Sequence, residues 1–295
     1  MDLRFLRTFR TAATLLNFNR TAEVLHYAQS TVSAQIKALE DEVGVGLFER
    51  IGKKVVLTEA GAALLEYAHK LIALEEEALG AAAGREGPAG RISLRVPQTI
   101  STYHLPGILA EYFARFPGVN FDVSSCALFS LERELDIGAI DLAFLLADYV
   151  NSASLEIELL GTEPLLFVSK PGGPLTSSPE VRYEDLRGAA LFLPKADCGY
   201  RMALERTLAE KRVEPSNIMD FNSLEAIKEC VRAGLGVAVV PRIAVLDDLQ
   251  RGLLVALPWE EDLETAIIMI RRRGKWMSPS LAGFVETVRA WFRSH

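Results

Sequence analysis

Apolar residues recur at helical spacing from the start of the chain. Leu3, Leu6, Phe9, Ala13 and Leu16 predict an amphipathic helix over 2–16. Phe18, flanked by Asn17 and Asn19, breaks that run, and Asn19 reads as the N-cap of a second, short helix over 20–25. After His26-Tyr27-Ala28 a third helix is expected over 29–43. Its apolar positions Val32, Ile36, Leu39 and Val43 step by four, three and four, its other face carries Gln29, Ser30, Ser33, Gln35 and Lys37, and Gly44 and Gly46 stop it. Residues 47–58 read as a hairpin of two short strands turning at Gly52-Lys53-Lys54.

Thr58 is placed to cap a long helix over 59–83, with Glu59 in its first turn. Leu57, Leu64, Leu71 and Ala78 repeat every seven residues, and Gly61, Ala68 and Glu75 fill the alternate seam. That pattern suits a short, imperfect coiled coil that joins two subunits, or else an ordinary amphipathic helix. GREGPAG at 84–90 is a linker. Beyond it the period changes. Strand-like runs at 92–96, 121–125, 142–146, 165–169, 191–194, 219–222 and 237–241 alternate with helical stretches at 105–116, 128–137, 200–211 and 224–233. This βα repetition predicts parallel or mixed sheets covered by helices, with ligands beyond the carboxyl ends of the strands.

The length of 295 residues fits two or three domains, and 49% hydrophobic with 24% charged residues is the composition of an ordinary globular protein. A net charge of −7 would by itself argue against a nucleic-acid partner. Its distribution reverses that inference. Residues 1–58 carry eight basic and six acidic residues, a net +2, and the remaining 237 residues hold −9. The three cysteines, Cys126, Cys198 and Cys230, are far apart and form no CxxC pair, which suits a reducing compartment. MDLRFLRTFR has charges where a signal peptide needs an apolar core. No stretch approaches the roughly 20 apolar residues of a membrane span. The expected location is the cytoplasm, with no membrane partner.

Three helices with a tight turn between the second and third describe a helix-turn-helix. Its third helix would set Gln29, Ser30, Thr31, Ser33 and Gln35 against base edges in the major groove, with Lys37 a turn further on for phosphate. Asn19 and Arg20 flank it, and Arg50, Lys53 and Lys54 make the hairpin a basic wing. So few positive contacts per copy favour a dimer that reads two half-sites. In order along the chain stand T-A-E-V-L-H, Q-S-T-V-S-x-Q-I-x-x-L-E, G-x-x-L-F-E-R and L-T-E-A-G. On that series the segment 2–68 resembles the N-terminal domain of LysR-type transcriptional regulators. The likeness extends more loosely through LRVPQTISTYHLPGILAEYFARFPGV, ELDIGAIDLAFL and SLEAIKECVRAGLGVAVVPRIAV.

The resemblance implies an α/β fold with an all-α winged helix-turn-helix at its head. It implies a DNA-binding domain over 1–58, a dimerising linker helix over 59–83, a hinge over 84–90 and an effector-binding domain over 91–295. That last domain is similar to type 2 periplasmic binding proteins. Subdomain I is expected over 91–163 and 266–295, and subdomain II over 164–265. The implied function is a ligand-responsive regulator of promoter DNA, a homodimer or homotetramer, in which a small molecule changes DNA bending and contact with RNA polymerase. Ala34 departs from the polar residue common in the family at that place.

The turns that face the implied cleft offer Gln98, Thr99, Ser101 and Thr102, then Phe129, then Asp148, then Cys198, Tyr200, Arg201, Asn222 and Ser223. They suit a small, partly apolar effector with at least one polar or anionic group. Each polar residue is equally well a helix cap, Phe129 a core residue or cleft wall, and Arg201 a member of a surface or inter-subdomain salt bridge. Cys198 is either a redox sensor, as in peroxide-sensing members, or a packed thiol. Cys126 and Cys230 read as small buried hydrophobes. The four histidines, His26, His69, His104 and His295, show no metal spacing, and GxSxG, Walker A and HExxH are lacking. No catalytic residue, metal or cofactor is expected. A solute-binding protein or a small-molecule enzyme is the competing reading, and it would need a leader or a catalytic cluster in place of the first 68 residues.

Overall fold

The computed structural model describes residues 1–52, 54–82, 90–125, 128–148, 150, 152–195 and 199–295, with the backbone alone at 77, 80, 81, 128 and 129. The head begins with α1 (Leu3–Leu15), capped by the Asp2 side chain, and α2 (Phe18–Leu25). The cap of α2 is Asn17, whose Oδ1 accepts from the backbone of Asn19 and Arg20 at 3.0 and 3.1 Å. Asn19 lies inside the helix, a correction of two residues. Phe18 is the first residue that must point inward, so the asparagine before it meets the free N–H groups. His26 takes φ +54 after α2, its N–H reaching back to Ala22 and Glu23, and α3 (Gln29–Val43) follows over the range its spacing predicts. β1 (Phe48–Ile51) and β2 (Lys54–Leu57) form the wing, with Gly52 at φ +64 in the turn. Lys53 lies outside the described residues.

Thr58 Oγ1 accepts from Gly61 N at 3.0 Å and starts α4 (Glu59–Ala82). Leu65, Ala68 and Ile72 of α4 are buried with Leu6, Phe9, Val32, Ile36, Leu39 and Leu47 in one head core. Arg7 joins α1 to α4 through Glu75 (2.8 Å) and Glu76 (3.1 Å). The seam Gly61–Ala68–Glu75 therefore faces its own head. A Cβ at Gly61 would come within 2.2 Å of the Leu47 carbonyl oxygen. The heptad count placed that seam toward a partner. The exposed apolar side chains of α4 include Ala62, Ala63, Tyr67, Leu74, Ala78 and Leu79, of which Ala63, Tyr67, Leu74 and Ala78 share one face.

The remaining chain builds one nine-stranded sheet. Its elements are β3 (Gly90–Val96), α5 (Gln98–Tyr103), α6 (Leu105–Arg115), β4 (Val119–Ser125), α7 (Leu128–Asp136), β5 (Leu142–Leu146), β6 (Leu155–Ser169), β7 (Ala190–Pro194), α8 (Gly199–Glu210), β8 (Asn217–Phe221), α9 (Leu224–Arg232), β9 (Val237–Pro241), α10 (Leu246–Gln250), β10 (Val255–Ala256), β11 (Leu263–Arg272) and α11 (Pro279–Ser294). The strand order is β4-β3-β5-β11-β6-β9-β7-β8, with β10 on the end of β6. β4, β3 and β5 are parallel, and so are β9, β7 and β8. The long antiparallel pair β6 and β11 joins the two triplets. β11 and the first half of β6 extend the predicted strand set. Among the described residues no helix is long and apolar enough to cross a membrane.

Head and sensor meet along α4. His69 Nε2 lies 3.3 Å from the Ile137 carbonyl oxygen, and a Cβ on Gly138 would come within 2.4 Å of that ring. Arg272 of β11 bonds Glu66 at 2.8 Å across the joint. Burial, reinforced by the charges of Lys275 and Arg10, lowers the His69 pKa to about 4. The unfolded chain takes that proton near 6.5, so it binds more protons than the folded chain between those values, and stability falls as pH drops through the window. Between pH 7 and 5 the wild type should lose about 2 kcal/mol more stability than His69→Leu, read from urea unfolding at each pH. Equal losses would remove His69 as the source.

Candidate functional site

The first surface is the outer face of α3. Val32, Ile36 and Leu39 anchor the helix, and Gln29, Ser30, Thr31, Ala34 and Lys37 stand exposed around it. Ala28 supplies no side-chain cap, so the N-terminal N–H groups of a 15-residue helix are open to an anion such as a backbone phosphate. Gln29 Nε2 donates to Ser33 Oγ at 2.8 Å, which fixes both side chains one turn apart on this face. Gln35 behaves differently. Its Oε1 accepts from Thr8 Oγ1 at 2.6 Å, so its carbonyl is turned toward α1 and locks α3 in place. Arg20, Arg50 and Lys54 are exposed beside the helix, and Asn19 is exposed on α2. A shallow groove lined by Phe5, Ser30, Thr31, Ala34 and Gln35 adds an apolar wall that the sequence reading did not include. The spacing of Ala34 four residues after Ser30 is the signal that placed it there.

The second surface is a cavity of about 430 Å³ between the two triplets of strands. Gln98, Thr99, Tyr200 and Asn222, four of the expected residues, line it. Ser125, Leu145, Leu146, Pro194, Lys195, Phe221 and Leu224 complete the wall. Ser101 and Thr102 lie further along α5, and Asp148 stands exposed beyond β5, away from the wall. Ser223 caps α9 by accepting from Ala226 N at 3.3 Å. Arg201 is 5% exposed and closes its own ring of bonds to the Pro194 carbonyl (2.5 Å), Asp220 (2.6 Å) and Glu205 (2.8 Å). An Arg held by two carboxylates has no charge left for a ligand, and this salt bridge is buried among β7, β8 and α8 within one half, not at the surface or between the halves. Cys126, Cys198 and the Phe129 side chain lie outside the described residues. Cys230 is half-buried against the cluster of Leu224, Ile227 and Val231.

Lys195 is the cationic side chain on this wall among the described residues. It follows β7 immediately, at the carboxyl end of a strand, which is the position from which it could have been found. The cavity therefore offers one ammonium group, a buried hydroxyl at Thr99, amides at Gln98 and Asn222, and an apolar floor from Leu145, Leu146 and Phe221. Among the described residues no group of three His, Cys, Asp or Glu is placed to hold a metal ion.

Two contacts close the cavity. Gln98 Oε1 accepts from Leu224 N at 2.8 Å, tying α5 of one half to the start of α9 in the other. Gly199 begins α8 so close to β5 that a Cβ would sit 2.3 Å from the Leu146 carbonyl oxygen and 2.5 Å from Ala147 Cβ. Backbone cannot yield as a side-chain tip can, so Gly199→Ala must part the halves. The variant is expected to have a larger radius of gyration by X-ray scattering. An unchanged scattering curve would show that the approach is not tight in solution.

Two family models match the chain. "Bacterial regulatory helix-turn-helix protein, lysR family" covers residues 3–62, and "LysR substrate binding domain" covers residues 85–293. An uncharacterized HTH-type transcriptional regulator of Bacillus subtilis (strain 168), YwqM, is 36% identical over 294 residues, 99% of this chain and 100% of that protein. Among solved structures, ArgP from Mycobacterium tuberculosis superposes with a TM-score of 0.70 at 26% identity, covering 99% of this chain and 97% of that one. Full-length LysG from Corynebacterium glutamicum, solved with bound effector Arg, superposes with a TM-score of 0.68 at 21% identity, covering 100% and 99%.

Proposed function

Because this chain belongs to the LysR family of bacterial transcriptional regulators, we propose that α3 reads promoter DNA and that the cavity beside Lys195 receives the effector that controls it. The family consists of regulators, not enzymes: a helix-turn-helix binds DNA and a second domain binds an effector. The observation that carries the residue assignment is α3 itself, whose uncapped, polar first turns stand clear of a head held rigid from below. Gln29 and Ser33 then meet base edges, while Arg20, Lys37, Arg50, Lys54 and the wing residue Lys53 meet phosphates.

The proposed divisions are a head over 1–58, a linker helix over 59–83, a hinge over 84–90 and a sensor over 91–295. Two strands cross between the sensor's halves. The register of β6 against β11 shifts between Ile267 and Ile268, opposite Gly161, and this supports subdomains of 91–163 with 266–295 and of 164–265. An irregular ladder is where a two-strand hinge bends most easily.

The effector is a small molecule with an apolar body and one anionic group. Lys195 reads the charge, and Thr99 and Asn222 read polar atoms. Apolar floor and sparse polar contacts are what a selective small-molecule site requires. The chain acts as a homodimer through Ala63, Tyr67, Leu74 and Ala78 of α4. Phe113 and Val123 at one edge of the sheet, and Met202 and Ile218 at the other, are exposed apolar residues that support a second contact and a homotetramer. RNA polymerase is the partner through which occupancy alters transcription in the cytoplasm.

Band shift on the DNA upstream of the chain's own coding region tests the first half. Gln29→Ala or Ser33→Ala should each weaken site-specific binding by about 1–3 kcal/mol, whereas Lys54→Ala should weaken binding to all sequences alike. No preference for that DNA over competitor at moderate salt would defeat the reading. For the second half, calorimetric titration with small carboxylates should find a binder whose affinity falls at least about tenfold in Lys195→Gln, about what one charge-assisted hydrogen bond supplies. Unchanged affinity would take Lys195 out of the site.

A further inference from the structure

A further cavity, of about 360 Å³, lies where the head meets the sensor. Its walls carry cations from both sides: Arg7 and Arg10 from α1, Arg91 from β3, and Lys275 from the segment between β11 and α11. Two of these are neutralised. Arg7 holds Glu75 and Glu76, and Arg91 holds Asp122 at 2.6 Å. Arg10 is not, and Lys275 has only a long ion pair. The Arg10 side chain makes neither an ion pair nor a hydrogen bond among the described residues. Lys275 Nζ is buried and makes no hydrogen bond. The carboxylate nearest to it, Asp141, stands 3.6 Å away and already accepts from Ser93 N at 3.0 Å.

Burial pulls both cations below their ordinary pKa range. His69, whose pKa burial and both charges lower, lines the same cavity as Arg10 and Lys275. Desolvated cations without full partners are costly, so a site whose two cations have only Asp141 and the already paired Glu76 as countercharge is incomplete as it stands.

We infer that this joint is a second ligand site, in which Arg10 of the head and Lys275 of the sensor hold one small tetrahedral oxyanion of the phosphate or sulfate class. The guanidinium fork engages two oxygens and the ammonium a third, a count that a single carboxylate does not meet. The anion replaces the missing countercharge and ties the head to the sensor, because its two holders belong to different parts of the chain. Neither cation lines the effector cavity, so the inference stands apart from the assignment of Lys195.

The full-length chain is titrated with sulfate, inorganic phosphate and a simple phosphomonoester against chloride at constant ionic strength, with melting temperature and heat of binding as readouts. The wild type should show a saturable rise in melting temperature. Lys275→Met and Arg10→Met should weaken binding at least tenfold, with melting temperatures in chloride no lower than the wild type, since each removes a buried, poorly compensated charge. Asp141→Asn keeps an acceptor for Ser93 N but removes the competing charge, and it should tighten binding severalfold. This opposite sign guards against a variant that merely folds badly. Tighter binding of the phosphomonoester than of phosphate assigns the site to a phosphorylated metabolite, and the reverse assigns it to the free ion. An unsaturable rise shared by wild type and all variants, or weaker binding in Asp141→Asn, overturns the inference.

Discussion

The sensor depends on one ladder. β6 and β11 pair from Leu155 opposite Arg272 to Leu165 opposite Leu263, and each also serves as the inner edge for a triplet of parallel strands. The parallel triplets have no direct contact with one another in the sheet, so these two strands alone carry the sheet across. Three successive antiparallel pairings make the triplets run in opposite directions, so their carboxyl ends point toward each other and a crevice opens between them. The apolar runs of β5 and β9 are buried throughout each triplet, while the register of the joining pair shifts near Gly161 at the crossing. Gln98 and Gly199 then set how far the crevice closes.

The head obeys a different constraint. A domain of three short helices and a hairpin has little core of its own. α4 completes it: Leu65, Ala68 and Ile72 fill the space beneath α1 and α3, and Arg7 clamps the outer turn of α4. The same helix meets the sensor through His69 and Glu66. α4 is therefore a shared beam, and any rotation of it moves α3 and the sensor together.

Local patterns were legible where one residue type has one physical use. The steps Val32, Ile36, Leu39 and Val43 set α3 correctly, and Gly52 set the turn of the wing. Errors arose where a residue serves equally at two places. Asn17 and Asn19 are both good caps, and only the inward turn of Phe18 decides between them. The heptad Gly61–Ala68–Glu75 is as good a seam for an intramolecular neighbour as for a partner, and the close approach of Leu47 settles it. In the cavity, Thr99 and Asn222 were readable as residues at strand ends. Arg201 stayed open between ligand contact and salt bridge, because Asp220 and Glu205, which neutralise it, are brought to it by β8 and by the next turn of α8. Lys195 escaped notice for the converse reason: a lone lysine in a loop gives no pattern, and its place is known only once β7 is known to end beside the crevice.

The uneven charge has a consequence for how the protein meets DNA. Arg20, Lys37, Arg50 and Lys54 stand exposed on the head, while the body behind it bears the −9 balance. Beside a polyanion such a molecule experiences a torque as well as a force. The head is drawn inward and the sensor is pushed away before any base is touched. Encounters in which the body leads are repelled, so approach is oriented in advance, and the acidic sensor keeps the weakly basic head from settling sideways along the duplex.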